Sequence, residues 1–380
     1  MGKWLLGITG LFLTVLVVGI TGCQKPNDAI DNNQVVETPY TLYFGDTSGA
    51  VYNTNDGVKI KRVPFPADGL GYRAIATSKS VLLFVKSDTN LYSNSGQTIL
   101  RFSSDNGITY NDSWDSLRSH PATAVNGFPL ELFQNMIQDI PKWNRVYVVT
   151  TSNNPFNWLG IAYSFQNGIW GSWTCEAAYT GSRVGILPAT ITSLTFTSGN
   201  VLYGLDAIHQ RTFYRTDTFT TTTFNETTGG LGWNSSGVRL PTTGFFSLGH
   251  YNNELIAIDN YGFNGAYFSD DSGMNWAQFS GIPANIPLLC ISSPFEETCL
   301  IGTAGSGLYI MNANSHAFQP CNNGLSANLI VRSIAAKENV FKNGNLQKLV
   351  YLASNKGIYV SKDDGHNWTL VMPGNFTAIY

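Results

Sequence analysis

Gly357-Ile-Tyr-Val-Ser-Lys-Asp-Asp-Gly-His-Asn-Trp368 predicts a short strand, a tight turn and an aromatic residue that opens the next strand. The spacing Ser-x-Asp-x-Gly-x-Asn-Trp begins here at Ser361, and it begins again at Ser269. A third copy begins at Ser103, with Thr109 and Tyr110 at its last two positions. The defining positions are Ser103, Asp105 and Gly107; Ser269, Asp271, Gly273 and Trp276; and Ser361, Asp363, Gly365 and Trp368.

The residue types of this pattern suit a turn between antiparallel strands. An Asp side chain accepts hydrogen bonds from the unpaired backbone N–H groups of such a turn, and Ser does so more weakly. Gly supplies the positive φ that a Cβ would resist, and the aromatic ring covers the corner. We therefore expect Asp271 and Asp363 to stabilise turns rather than act as catalytic carboxylates or calcium ligands, because an EF-hand loop needs more oxygen ligands.

An apolar strand followed by a Gly-aromatic strand recurs along the whole chain. Seven phased units contain it: residues 41–52, 81–102, 146–163, 201–214, 255–268, 299–310 and 350–360. Their spacing of about 40–65 residues is typical of four-stranded propeller blades. Most units keep only part of the turn pattern, and the sixth keeps only Phe318 at the Trp position.

The first strands of five units share a pattern of their own, a variable residue followed by a small one and an aliphatic one. It begins at Arg73, Thr192, Phe246, Leu289 and Arg332, and residues 376–380 match it. Because the chain enters the first unit at its second strand, we predict that residues 376–380 supply the innermost strand of the first blade and leave no open edge. Residues 111–142 are predicted to be an insertion, in which residues 130–140 have both helical and strand character.

The Ser-x-Asp-x-Gly-x-Asn-Trp turns resemble the Asp-box, or BNR repeat, of sialidases and related β-propellers. The resemblance covers most of residues 40–380 and implies an all-β, seven-bladed β-propeller closed by a C-terminal strand that joins the first blade. It also implies that the boxes lie on the outer rim, away from the ligand face. The same seven-bladed plan resembles the lumenal photosystem II assembly factor, a non-enzymatic propeller, although that factor's arginine-rich patch is not visible here.

The N-terminus has the features of an export signal. Lys3 precedes an apolar run, residues 5–20, and Ile20-Thr-Gly-Cys23 follows. This resembles the bacterial lipobox, which implies a signal peptide at 1–22, lipidation of Cys23 and a flexible tether at 23–39. The alternative, a transmembrane helix, needs about 20 apolar residues. Gln24 in place of Asp favours the outer membrane of a Gram-negative cell envelope.

Composition narrows the function classes. A net charge of −3 without a basic run makes nucleic acid an unexpected partner. With 13% aromatic residues, 12% charged residues and 38 glycines, the chain suits an all-β fold with many turns. A two-residue turn at Pro294-Phe295 would place Cys290 opposite Cys299, so a disulfide and two reduced thiols both remain open. Cys175 and Cys321 have no partner that the sequence identifies.

The sequence has next to be tested against two function classes, an enzyme and a binding protein. The sialidase resemblance implies three arginines on a substrate carboxylate, yet there is no Arg-Ile-Pro motif, and only Arg73 and Arg332 lie at a shared strand position. Four aspartates follow second strands, where they either face the central opening or cap turns. Aromatic residues of the same loops, with Phe263 among them, either contact a ligand or pack within the loops.

We predict a lipid-anchored, non-catalytic binding or assembly module for another envelope protein or a glycan; the alternative is a sialidase-like glycoside hydrolase acting on extracellular glycans. The five histidines lack metal-ligand spacing, so we predict no catalytic residue, metal or cofactor. The candidate ligand face comprises Arg73, Arg332, Asp46, Asp88, Asp206, Asp259, Trp158 and Tyr261.

Overall fold

The fold is described from a computed structural model. The structure describes residues 35–36, 42–57, 59–63, 71–78, 81–87, 98–103, 111–112, 130–140, 145–152, 160–166, 173–177, 191–197, 202–206, 211–215, 234–240, 246–312 and 315–379. Between residues 63 and 246 this is a description of the backbone, apart from a few buried side chains.

Antiparallel pairing arranges the described strands into seven sheets, which we number in chain order. In sheets 1 to 3 the strands are, from first to last, β29 (Phe376–Ile379), β2 (Leu42–Asp46), β3 (Val51–Thr54) and β4 (Lys61–Arg62); β5 (Gly71–Ser78), β6 (Val81–Ser87), β7 (Thr98–Ser103) and β8 (Asn111–Asp112); and β9 (Leu130–Ile140), β10 (Arg145–Ser152), β11 (Gly160–Gln166) and β12 (Trp173–Ala177).

Sheets 4 to 7 have the same plan. They contain β13 (Ile191–Phe196), β14 (Leu202–Asp206), β15 (Arg211–Arg215) and β16 (Asn234–Arg239); β17 (Phe246–Tyr251), β18 (Glu254–Asp259), β19 (Ala266–Ser269) and β20 (Ala277–Gln278); β21 (Leu288–Ser292), β22 (Leu300–Thr303), β23 (Leu308–Asn312) and β24 (Ala317–Pro320); and β25 (Val331–Phe341), β26 (Leu346–Ser354), β27 (Gly357–Ser361) and β28 (Thr369–Pro373). Sheet 7 has a fifth strand, β1 (Val35–Val36), on the free edge of β25.

The core lies between neighbouring sheets. Second strands such as β2, β18 and β22 are buried on both faces, which explains their unbroken apolar sequence. Four described clusters fill the interfaces between sheets 4 and 5, 5 and 6, 6 and 7, and 7 and 1. The first strands also contact one another in the order β29, β5, β9, β13, β17, β21, β25 and again β29. The all-β prediction is thereby confirmed.

Two predictions about local structure are wrong. Residues 130–140 do not belong to an insertion: they form β9, which pairs with β10 as the first strand of sheet 3. The predicted two-residue turn at Pro294-Phe295 is also absent. A longer connection containing a 3-10 turn, Pro294–Glu296, joins β21 to β22. In the resulting register Cys290 lies opposite Gly302 and not opposite Cys299.

The cysteines of this sheet are free thiols. Cys290 packs against the cluster between sheets 6 and 7, whereas Cys299 belongs to the cluster between sheets 5 and 6. The register therefore sends the two side chains to opposite faces of sheet 6, and the disulfide alternative is wrong. Cys321 is likewise a free, buried thiol, and the side chain of Cys175 lies outside the described residues.

The turn at Ser361 has the hydrogen bonds that its residue types predict. Asp363 Oδ1 accepts from Ser361 Oγ at 2.8 Å and from the Asn367 backbone N–H at 2.9 Å, while Oδ2 accepts from Asn367 Nδ2. Gly365 N–H donates to Ser361 Oγ, and Trp368 Nε1 donates to Gly365 O at 2.8 Å.

The turn at Ser269 repeats this network bond for bond, with Asp271 accepting from Ser269 and twice from Asn275. Ser103 closes β7, and the rest of the third copy lies outside the described residues.

These turns also hold neighbouring sheets together. Trp368 is buried in the cluster between sheets 6 and 7, and its backbone N–H donates to Asn323 O of the connection that follows sheet 6. Gly324 lies directly against the Trp368 carbonyl. In the preceding sheet, Gly281 lies in the same way against the carbonyl of Phe318, the residue predicted at the Trp position of the sixth unit.

The lowered pKa values of Asp271 and Asp363 predict that the folded protein loses stability in acid. The pKa of Asp271 is lowered, chiefly because the Asn275 backbone N–H donates to it; burial raises the pKa of Asp363, but hydrogen bonds from Asn367 and Ser361 outweigh this and lower it. Carboxylates with lowered folded-state pKa values contribute stability above their unfolded-state pKa and lose it as the pH falls. We expect Asp271→Asn to lower the free energy of unfolding by about 1 kcal/mol at pH 7 and by progressively less below pH 4. Urea unfolding of the variant and the parent at each pH measures this difference.

The matched control is Asp270→Asn, which removes an adjacent, exposed carboxylate that makes none of these hydrogen bonds. Equal effects of the two substitutions across the pH range would contradict the role of Asp271.

Candidate binding face

The loops that follow the second strands and the connections that lead into the next sheet lie at the same end of the sheets. In the fully described part of the chain these are residues 47–50, 260–265, 304–307 and 355–356, with the connections 279–287, 321–330 and 374–375. We call this end the candidate face. The turns at Ser269 and Ser361 lie at the opposite end, which we call the box rim, because each third strand runs from one end to the other.

Two predicted site aspartates cap turns on the candidate face. Asp46 Oδ1 accepts from the backbone N–H groups of Ser48 at 2.9 Å and Ala50 at 2.8 Å. Asp259 is fully buried and accepts from the backbone N–H groups of Tyr261 and Asn264 and from the Asn264 amide. Both carboxylates are therefore engaged in holding their own loops.

Other residue types take the same place in sheets 6 and 7. Thr303 Oγ1 donates to Gly307 O and accepts from Ser306 N–H, and Ser354 Oγ makes the matching pair of bonds with Gly357. The position at the end of the second strand thus requires an oxygen that caps the loop, not a carboxylate. Sequence reasoning missed Thr303 and Ser354 because it searched for acids alone.

The loop after Asp259 presents two aromatic side chains to solvent. Tyr261 is 44% exposed and Phe263 is 74% exposed. Between them, Gly262 has a φ of +84°, and a Cβ there would lie 2.5 Å from the backbone of Ile286 and Pro287. The backbone of this loop is therefore fixed against the connection into sheet 6 while its rings point outward. Residues 260–265 and 282–287 contain no charged side chain.

A shared irregularity marks the first strands. The register of five first strands against their second strands shifts across one residue: Arg73, Thr192, Leu289, Arg332 and Thr377. A β-bulge leaves one residue unpaired and re-aims it. These are the positions at which the sequence pattern aligned Arg73 with Arg332, although the pattern did not predict the bulge.

The side chain of Arg332 is already bound within the protein. Its Nη1 donates to Asn375 Oδ1 at 2.6 Å and to Phe376 O at 2.9 Å, and burial lowers the pKa of the guanidinium. Arg332 therefore links sheet 7 to the strand that completes sheet 1. Arg73 and Asp206 are described by backbone only, and Asp88 and Trp158 lie outside the described residues.

Among the described residues, no three His, Cys, Asp or Glu side chains are grouped so as to hold a metal ion. The described part of the chain also contains no helix long and apolar enough to cross a membrane.

Comparison with known proteins identifies the class of fold. No protein-family model and no curated protein matches the chain. Among solved structures, YCF48 bound to D1 peptide superposes with a TM-score of 0.51 at 12% identity, over 85% of this chain and 88% of that chain. YCF48 from Cyanidioschyzon merolae gives 0.51 at 13%, over 84% and 89%. With the four-stranded antiparallel sheets, these likenesses make the fold a β-propeller built from repeated units.

Proposed function

We propose that this protein is a lipid-anchored β-propeller of the cell envelope that works as a non-catalytic binding or assembly module for a protein or a carbohydrate. The observation that carries the proposal is the loop 260–265, which is fixed by the Asp259 carboxylate and by the contact of Gly262, and which exposes Tyr261 and Phe263. Rigid aromatic side chains supply contact area at low entropic cost, a property of binding anchors.

The proposed architecture is a closed ring of seven blades with Asp-box turns. It is supported by seven sheets, by first strands that contact one another in a complete circuit, and by the pairing of β29 with β2. The turn between the third and fourth strands of sheet 1 also contacts sheet 7, where Tyr351 Oη donates to Gly57 O at 2.6 Å. In that turn Thr54 donates to Asp56, as Ser269 does to Asp271, so a degenerate box joins the last sheet to the first.

The proposed non-catalytic role is supported by the occupation of the polar groups that an enzyme would need. Asp46 and Asp259 hold loops, and Arg332 holds residues 375 and 376. YCF48 has been captured with a peptide, which makes a peptide or protein segment a reasonable ligand class for this propeller too. The proposed envelope location, most simply the outer membrane, is supported by the apolar run at 5–20 and by Ile20-Thr-Gly-Cys23.

The test is site-specific photo-crosslinking in intact cells. A photoreactive side chain at Phe263 is expected to capture one dominant partner at least fivefold more efficiently than the same side chain at Met274, which is also apolar and exposed in sheet 5 but lies on the box rim. Mass spectrometry identifies a protein partner, and lectin staining identifies a glycan. Equal capture at the two positions, or none at Phe263, would refute the proposed face.

A further inference from the structure

The fifth strand of sheet 7 shows where the N-terminal segment joins the propeller. Val35 pairs with Phe341 and Val36 with Val340, at the far end of β25 from Arg332. Since the pairing is antiparallel, β1 begins opposite Phe341, the last residue of β25, and runs inward along the sheet. β25 and β26 join through residues 342–345, and this hairpin lies on the box rim.

We propose that the box rim faces the membrane, and that the candidate face with Tyr261 and Phe263 is held pointing away from it. This inference rests on the proposed lipidation of Cys23. The partner of the candidate face is then a protein or glycan that approaches from the aqueous side. It is not a lipid of the membrane that carries the anchor.

Chain length supports this orientation. Because Val35–Val36 form β1, only residues 24–34 of the predicted tether separate Cys23 from the propeller, which gives a maximal reach of about 40 Å. The eleven residues of β25 span about 35 Å from one end of the sheet to the other. To bring the candidate face to the bilayer, the tether would have to run back along that whole height almost fully extended. With the box rim toward the bilayer, the distance to be spanned is far below this maximal reach.

The hairpin tip has a surface that suits a bilayer, independently of the tether. Leu346 is 60% exposed, Lys342 of the same hairpin is also exposed, and Phe341 is half-buried. Cationic side chains are attracted to anionic lipid surfaces, and apolar neighbours enter the interface. This tip lies at the same end of sheet 7 as the first residue of β1, Val35.

The experiment measures the distance of each end from the bilayer in the full-length acylated protein. A donor fluorophore is placed on Asn343→Cys or on Phe263→Cys, in a Cys175→Ser background, and vesicles of phosphatidylethanolamine and phosphatidylglycerol carry an acceptor lipid. Three native thiols remain, and burial raises the pKa of each, to about 12 for Cys290, to about 11 for Cys321 and also upward for the fully buried Cys299, so they label poorly. Because the two ends are about 35 Å apart, we expect at least twofold more energy transfer from position 343.

Equal transfer from the two positions, or more from position 263, would overturn the orientation. Val36→Pro removes a backbone donor from β1 and should reduce the difference between the positions, whereas Val36→Thr should preserve it. Cys23→Ser is expected to abolish vesicle binding. If the acylated protein with Cys23 intact also fails to bind vesicles, the proposed lipid anchor is wrong. If it binds but energy transfer is greater from position 263 than from position 343, the anchor stands and only the proposed orientation is wrong.

Discussion

Gly324→Ala is expected to destabilise the protein by about 3–5 kcal/mol, whereas Gly344→Ala should cost only about 1–2 kcal/mol. Both glycines have a φ of +82°. An added Cβ at Gly324 would lie 2.0 Å from the Trp368 carbonyl oxygen, while at Gly344 it would meet nothing within 4 Å. The two substitutions therefore share the cost of a left-handed alanine, and only Gly324→Ala adds a clash with the backbone of the next sheet.

Urea unfolding followed by far-UV circular dichroism measures this difference as a shift of the unfolding midpoint. A difference below about 1 kcal/mol between the two variants would contradict the close contact of Gly324 with Trp368. Gly281→Ala provides an internal repeat of the test, since its Cβ would lie 1.9 Å from Phe318 O. We expect it to be as damaging as Gly324→Ala.

The sequence predicted best those features that depend on neighbouring residues. The turns at Ser269 and Ser361 are built from side chains within eight positions of one another, so their hydrogen bonds follow from local spacing. The phased units were also predictable, because the buried second strands leave unbroken apolar runs. The pattern shared by first strands placed Arg73 and Arg332 in register, and both now lie at bulges.

Features that depend on distant residues were not predictable. Cys290 and Cys299 are separated by a connection whose Phe295 packs against sheet 7, so no local rule gave its length. The fixed loop around Phe263 depends on Ile286, more than twenty positions away. The pairing of Val35 with Phe341 joins residues more than 300 positions apart, and nothing in the sequence around Val35 signals it.

Chemical degeneracy was the second obstacle. Aspartate, threonine and serine all cap the loop after the second strand, since each offers an oxygen that accepts from a backbone N–H group of that loop. The sequence therefore identified Asp46 and Asp259 but left open whether their shared position faces a ligand or caps a turn. The hydrogen bonds identify that position as part of the loop architecture.

Deletion of residues 376–380 is expected to have the largest effect of any change proposed for the chain. It removes β29, which pairs with β2 and places Phe376 and Ile379 in the cluster between sheets 7 and 1. It also removes the Phe376 carbonyl that accepts from Arg332. Truncating a buried Phe or Ile side chain costs about 2–5 kcal/mol, so losing both should cost at least about 5 kcal/mol, comparable with the whole stability of many domains.

Closure of the ring, rather than loss of apolar surface alone, can be tested with a circular permutant. Residues 374–380 are placed before residue 40 through a short Gly-Ser turn, and the chain ends at residue 373. Because Ile379 pairs with Phe44, this connection makes an ordinary hairpin of β29 and β2. We expect the permutant to recover most of the melting temperature of residues 40–380, and the deletion to melt far below both. A deletion as stable as its parent would show that β29 does not close the ring, whereas an unstable permutant would show that covalent continuity with sheet 7, not the pairing of β29 with β2, provides the stability.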